Sequence, residues 1–187
     1  MTAQIPVEKK KLDKAPLSLR YMGDRVLRQP TKRFTKIDDE VRRLARQMLQ
    51  TMYTEDGIGL AAPQVGINKQ MIVVDPQPDE AANPPIVLIN PVIMAESDDL
   101  SVIQEGCLSI PGVFMDVTRS KVIEVSYKDD TGRPQKLRAD GLLARVILHE
   151  IDHLNGILFV DRVDNAIAMN QELVKHGFSV KDVRRIK

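Results

Sequence analysis

Between residues 37 and 53 the apolar side chains Val41, Leu44, Ala45, Met48, Leu49, Met52 and Tyr53 recur at spacings of three and four, with arginines and glutamines between them. That period gathers them on one face, so the pattern predicts an amphipathic helix over 37–53. Short runs of β-type composition at 71–75 and 86–94 read as strands. Over 122–128, Ile123, Val125 and Tyr127 alternate with Glu124, Ser126 and Lys128, the period of a half-buried strand. Asp129, Asp130, Thr131 and Gly132 are turn residues leading to a further strand that ends near Ala139. Helical spacing returns over 141–155 with Gly156 as its stop, and a last helix is predicted over roughly 164–176, closed by Gly177. There is no internal repeat and no low-complexity linker, and helices mixed with hairpin-like strands indicate α+β architecture.

Composition narrows the function classes. A chain of 187 residues is of the size that makes one domain, here expected over 19–178 between a polar N-terminal extension (1–18) and a basic C-terminal tail (179–187). Lys and Arg number 27 against 26 Asp and Glu, so no global field draws the protein to DNA or a membrane. Its single cysteine forbids an intramolecular disulfide, which fits a reducing cytoplasm and leaves one thiol free for chemistry or metal. Apolar runs of about four residues fall far short of a bilayer span, which predicts a soluble protein. Up to Pro16 the chain carries Lys9, Lys10, Lys11 and Lys14, with no arginine and no apolar stretch of signal-peptide type, and reads as a mobile extension.

The clearest chemical signal is His149-Glu150-Ile151-Asp152-His153, an H-E-x-x-H pattern on a predicted helix. Four helical residues turn by about 400°, so both imidazoles leave one face a turn apart and can share a metal ion, with Glu150 within reach of a water beside it. Leu142, Leu143, Val146 and Ile147 give the same helix an apolar face that would bury the site. Two of the chain's three histidines lie in this pattern; His176 stands alone and reads as a surface residue. A catalytic site of this kind takes a third protein ligand. Glu172 is the acidic candidate downstream, and Cys107 in Glu105-Gly106-Cys107-Leu108-Ser109 is the better one, because a thiolate is a strong ligand and Gly106 permits close approach. A lone cysteine is otherwise a small buried hydrophobe.

A third segment, Gly57-Ile58-Gly59-Leu60-Ala61-Ala62-Pro63-Gln64, taken alone marks only a turn. In order along the chain, these three segments resemble the three motifs of the peptide deformylases, and the resemblance runs from about residue 19 to 163. It implies an α+β fold whose H-E-x-x-H helix packs against antiparallel sheets. It also implies an enzyme that removes the formyl group from N-formylmethionyl nascent peptides as formate, with Fe(II) as its metal and zinc or nickel able to substitute. By that resemblance Cys107, His149 and His153 are the metal ligands, Glu150 is the acid/base, and Gln64 and the backbone N–H of Leu108 face the formyl oxygen. Ile58, Gly59, Ile103, Gly106, Leu142 and Val146 match positions lining the peptide groove and the methionine pocket. The run Pro111-Gly112-Val113-Phe114-Met115 departs from the bacterial members with a basic residue there, and Gly112 to Asp116 resembles the organellar, plant-type branch.

Two other classes compete. A zinc endopeptidase would share His149, Glu150 and His153 and use a downstream acid. A partner- or ribosome-binding module with a closed structural metal would need a fourth ligand, for which the sequence has no further cysteine. The basic tail, with Lys181, Arg184, Arg185 and Lys187, offers a transient contact to ribosomal RNA, the plain alternative being a solvated tail.

Overall fold

The computed structural model describes residues 5 and 7–186. Helix α1 spans Asp39–Thr54 and starts one residue after Asp38, whose carboxylate accepts from the amides of Glu40 and Val41. That cap satisfies donors with no partner inside the helix, which is why Ile37 falls outside it. Its apolar face, including Ala45, Met48, Leu49 and Met52, lies fully buried.

Four strands follow: β1 (Gly59–Ala61), β2 (Met71–Val74), β3 (Ile86–Glu96) and β4 (Leu100–Cys107). Next come β5 (Ile110–Ser120), β6 (Val122–Lys128), β7 (Pro134–Asp140), α2 (Gly141–Leu154) and α3 (Ala166–Lys175). Five strands form one antiparallel sheet in the order β1-β2-β3-β6-β7, while β4 and β5 pair as a separate hairpin. All four residues of β2 are buried. Met71 and Val73 face α1, whereas Ile72 and Val74 join Ala144, Ile147 and Leu148 of α2. A strand covered on both faces needs an unbroken apolar run, and Met71-Ile72-Val73-Val74 is one.

Helix α2 therefore lies against the five-stranded sheet and is covered on its other side by the β4–β5 hairpin. Salt bridges fix that cover: Glu105 of β4 accepts from Arg119 of β5 at 2.6 Å and from Arg145 of α2 at 2.7 Å, and Arg119 also reaches Asp152 of α2 at 2.7 Å. A third apolar cluster joins Ile110, Val113 and Val117 of β5 to Phe159 and Val160 and to Met169 and Leu173 of α3.

The hairpin and β1 were not evident in the sequence pattern, and the N-terminal expectation needs correction. Ile5 is buried, the Lys9 ammonium lies 2.7 Å from the Asp75 carboxylate, and Leu17 N–H donates to the buried Thr51 hydroxyl at 3.1 Å. The segment lies along α1 because its lysine meets a carboxylate and the carbonyls of Gln77, Glu80 and Asn83. Pro6 and residues 1–4 of the extension are outside the described residues, as is Lys187 of the tail. The rest of the tail is tied by its backbone: Asp161 accepts from the Arg184 amide at 2.7 Å and from the Ile186 amide at 3.1 Å. No helix among the described residues is long and apolar enough to cross a membrane.

Candidate active site

Helical geometry brings His149 and His153 onto one face of α2, with ring centroids 5.1 Å apart. The hairpin delivers Cys107 from the last position of β4, its sulfur 3.3 Å from His153 Nε2. One ligand atom from each of Cys107, His149 and His153 lies within 4.8 Å of the other two, a spacing that suits a single ion. His149 Nδ1 bonds Glu105 Oε2 at 2.9 Å, which leaves Nε2 as its ligand atom, and the ring stacks on Phe159. A carboxylate behind an imidazole fixes ring orientation and raises ligand basicity.

The electrostatics favour a cation. Burial alone would lower His149, but the nearby Cys107 sulfur and the hydrogen bond to the Glu105 carboxylate raise it well above its ordinary range. The Glu105 carboxylate behind the ring stabilises positive charge at His149, and a metal ion supplies it as a proton does. Burial lowers His153, with the charges of His149 and Arg119 adding to the effect, so it is the neutral imidazole that ligation requires. One soft thiolate with two imidazoles is a donor set that suits zinc or a late first-row metal.

Glu150 is 4% exposed, and its Oε2 is a buried oxygen with no partner among the described residues. Burial pushes its carboxyl up to about 7; Glu105 and Asp152 add to the rise, while His149 and Arg119 oppose it. Its other oxygen rests on β1, where a Cβ at Gly59 would fall 2.5 Å from Glu150 Oε1 and 2.7 Å from Val146 Cγ1. The glycine motif thus lets β1 approach α2 at the carboxylate.

Gln64 is not a solvated loop amide but 1% exposed, in a short 3-10 helix (Ala62–Val65) after β1. Its Oε1 accepts from Ala61 N–H at 2.8 Å, so Nε2 is the outward donor, 3.2 Å from Ser109 Oγ and 3.5 Å from the Cys107 sulfur. Leu108 occupies the turn between β4 and β5, and its amide has no hydrogen-bond partner among the described residues. Two donors therefore stand beside Cys107, one side chain and one backbone.

A cleft of about 590 Å³ opens over these groups, and all six groove residues expected from the sequence line it: Ile58, Gly59, Ile103, Gly106, Leu142 and Val146. Glu172 is elsewhere, on α3 beside Lys175 and His176. Sequence reasoning missed the buried arginines. Arg119 shares the inward parity of Val113 and Val117 on β5, and Arg145 interrupts the apolar stretch of α2. A charge at a core-facing position was the available signal. His176 is a second correction: its side chain is 27% exposed and packs against Gly112.

An H-E-x-x-H helix held between antiparallel sheets, with a thiolate completing its cluster, defines a metal-dependent hydrolase. The family model for polypeptide deformylase matches residues 16–168. Peptide deformylase 1 of Nostoc sp. is 63% identical over 186 residues, covering 100% of both chains, and that of Synechocystis sp. is 59% identical over the same coverage. Among solved structures, a peptide deformylase from Synechococcus elongatus in complex with actinonin superposes with a TM-score of 0.96 at 63% identity. That alignment covers 98% of this chain and 100% of the other. The plant peptide deformylase 1B of Arabidopsis thaliana aligns at 0.82 and 37%, covering 85% and 88%. This chain belongs to the polypeptide deformylase family. Its reaction is the hydrolytic removal of the N-formyl group from nascent peptides.

Proposed function

We propose that Cys107, His149 and His153 hold Fe(II), with zinc or nickel able to take its place, and that Glu150 moves the proton in deformylation. The observation that carries this reading is the closeness of the three ligand atoms, all within 4.8 Å, beside a buried carboxyl raised to about 7. When bound, such a metal supplies Lewis acidity, polarising the formyl carbonyl and acidifying water. Glu150 accepts the proton of the attacking water and returns it to the departing amine. Gln64 Nε2 and the Leu108 N–H donate to the formyl oxygen as charge grows there. The apolar cleft residues, Ile103, Leu142 and Val146 among them, hold the methionine side chain and exclude water, with the catalytic unit taken as residues 19–178. The substrate is a formylmethionyl peptide in the cytoplasm, met transiently at the ribosome, with Lys181, Arg184, Arg185 and Lys187 of the basic tail as the contacting charges.

Cys107→Ser tests the ligand set. The variant is expected to lose bound metal and formate release together, measured by elemental analysis and a formate assay. A zinc endopeptidase using Glu172 would release no formate and would keep both its metal and its peptidase activity in this variant. Gln64→Ala is expected to lower kcat by about 10²-fold, the scale of removing one oxyanion donor, with bound metal unchanged. Full turnover in that variant would remove the amide from the mechanism.

A further inference from the structure

The stretch from Pro111 to Phe114 is unusual in the hairpin. Ladder pairs join Glu105 to Met115 and Cys107 to Ile110, so four residues of β5 stand opposite Gly106 alone. This is a bulge, and its backbone lacks the continuous ladder that holds a regular strand in place. Pro111, Gly112 and Phe114 of the bulge also line the cleft. The position of this wall therefore depends on what packs behind it.

Behind Gly112 stands His176. Gly112 has φ +83°, a backbone conformation that disfavours any other side chain, and a Cβ there would fall 2.6 Å from His176 Cδ2 and 3.0 Å from Nε2. The imidazole thus occupies the space that a side chain at 112 would fill. It is held in turn: Nδ1 bonds the Glu172 carbonyl at 2.9 Å, one turn back on α3. Leu173 and Met169 anchor α3 in the same apolar cluster as Ile110 and Val113 of β5. Helix, ring and bulge form one packed unit, and His176 lies beyond residues 16–168, the span matched by the family model.

We propose that His176 is a positioning residue for the cleft wall, holding the bulge at Gly112 where it meets the substrate residues that follow the first methionine. The proposal rests on the deformylase reading of the cleft. His176 touches neither the reacting atoms nor the metal ligands; it acts through Gly112. Its loss is therefore expected to weaken the binding of longer peptides rather than to slow the chemical step.

The test is steady-state formate release by the full chain from formyl-Met-Ala and formyl-Met-Ala-Ser. Four proteins are compared: unaltered, His176→Ala, His176→Phe and, as a control, Lys175→Ala, with circular dichroism of each. In His176→Ala, KM for the tripeptide is expected to rise roughly five-fold, with kcat changing less than about two-fold and a smaller KM change for the dipeptide. Phe, which restores a ring behind Gly112, is expected to bring KM back towards the unaltered value. An unchanged tripeptide KM in a folded His176→Ala protein would overturn the proposal, as would an equal loss on both peptides or a failure of Phe to rescue. If the unaltered chain releases no formate from either peptide, the deformylase reading itself fails and takes this one with it.

Discussion

Glu150→Gln is expected to cut kcat by about 10²–10⁴-fold, the range of a lost general acid–base, while metal content and fold stay as they were. The substitution keeps the shape of the side chain and removes only its proton chemistry. Glu150 is free to be read this way because its Oε2 has no partner among the described residues and its Oε1 lies against Gly59 rather than in a salt bridge. No structural bond is lost with the charge. Formate release and thermal melting measured on the same preparation check both halves of this expectation. A fall in Tm matching the fall in rate would point instead to a structural carboxylate.

Glu105→Ala is expected to have the largest effect on stability. Its carboxylate is 6% exposed and accepts from Arg119, Arg145 and His149. Burial alone would raise this carboxyl, but the His149 and Arg119 hydrogen bonds outweigh it and hold Glu105 well below the usual carboxylate range. Removing it leaves the buried Arg145 of α2 without a carboxylate partner and Arg119 of β5 with Asp152 alone. Breaking a buried ion pair from one side costs about 3–5 kcal/mol, which for a chain of this length is a Tm drop of roughly 10 °C. The Ser101 and Val117 carbonyls that Arg145 also bonds are neutral and do not replace the lost negative charge. His149 loses the partner that orients its ring, so metal affinity is expected to fall by about 10–100-fold as well. Calorimetry and a metal titration separate the two effects, and an unchanged Tm would contradict the role given to the network.

What was legible in the sequence was what depends on neighbours in the chain. Strand β6 was read as 122–128 and is Val122–Lys128, because Ile123 and Val125 face the core and Glu124 and Lys128 face outward. The two histidines were placed together because a helix fixes the spacing of i and i+4. The β4–β5 hairpin was missed because its polarity is inverted: Leu100, Val102 and Phe114 face out, while Glu105 and Arg119 are buried. Period-two reasoning looks for an apolar inside, and here Glu105 and Arg119 share the inner face with Ile110, Val113 and Val117. Pro111 and Gly112, which ordinarily argue against a strand, mark the bulge within it. The N-terminal stretch carrying Lys9 was read as mobile for a related reason. The lysine's partner Asp75 is far away in sequence, and nothing local announces the pairing. Cys107 was recognised as a ligand candidate, yet the carboxylate two residues before it, which bonds one of the histidines, was not given a role.

The most direct test is formate release from formyl-Met-Ala-Ser by the full chain loaded with Fe(II) under argon, with bound metal counted in the same sample. The account predicts rapid release at about one metal per chain, lost when the metal is stripped and regained when it is restored. A metal-loaded, folded protein that leaves the formyl group in place would contradict it.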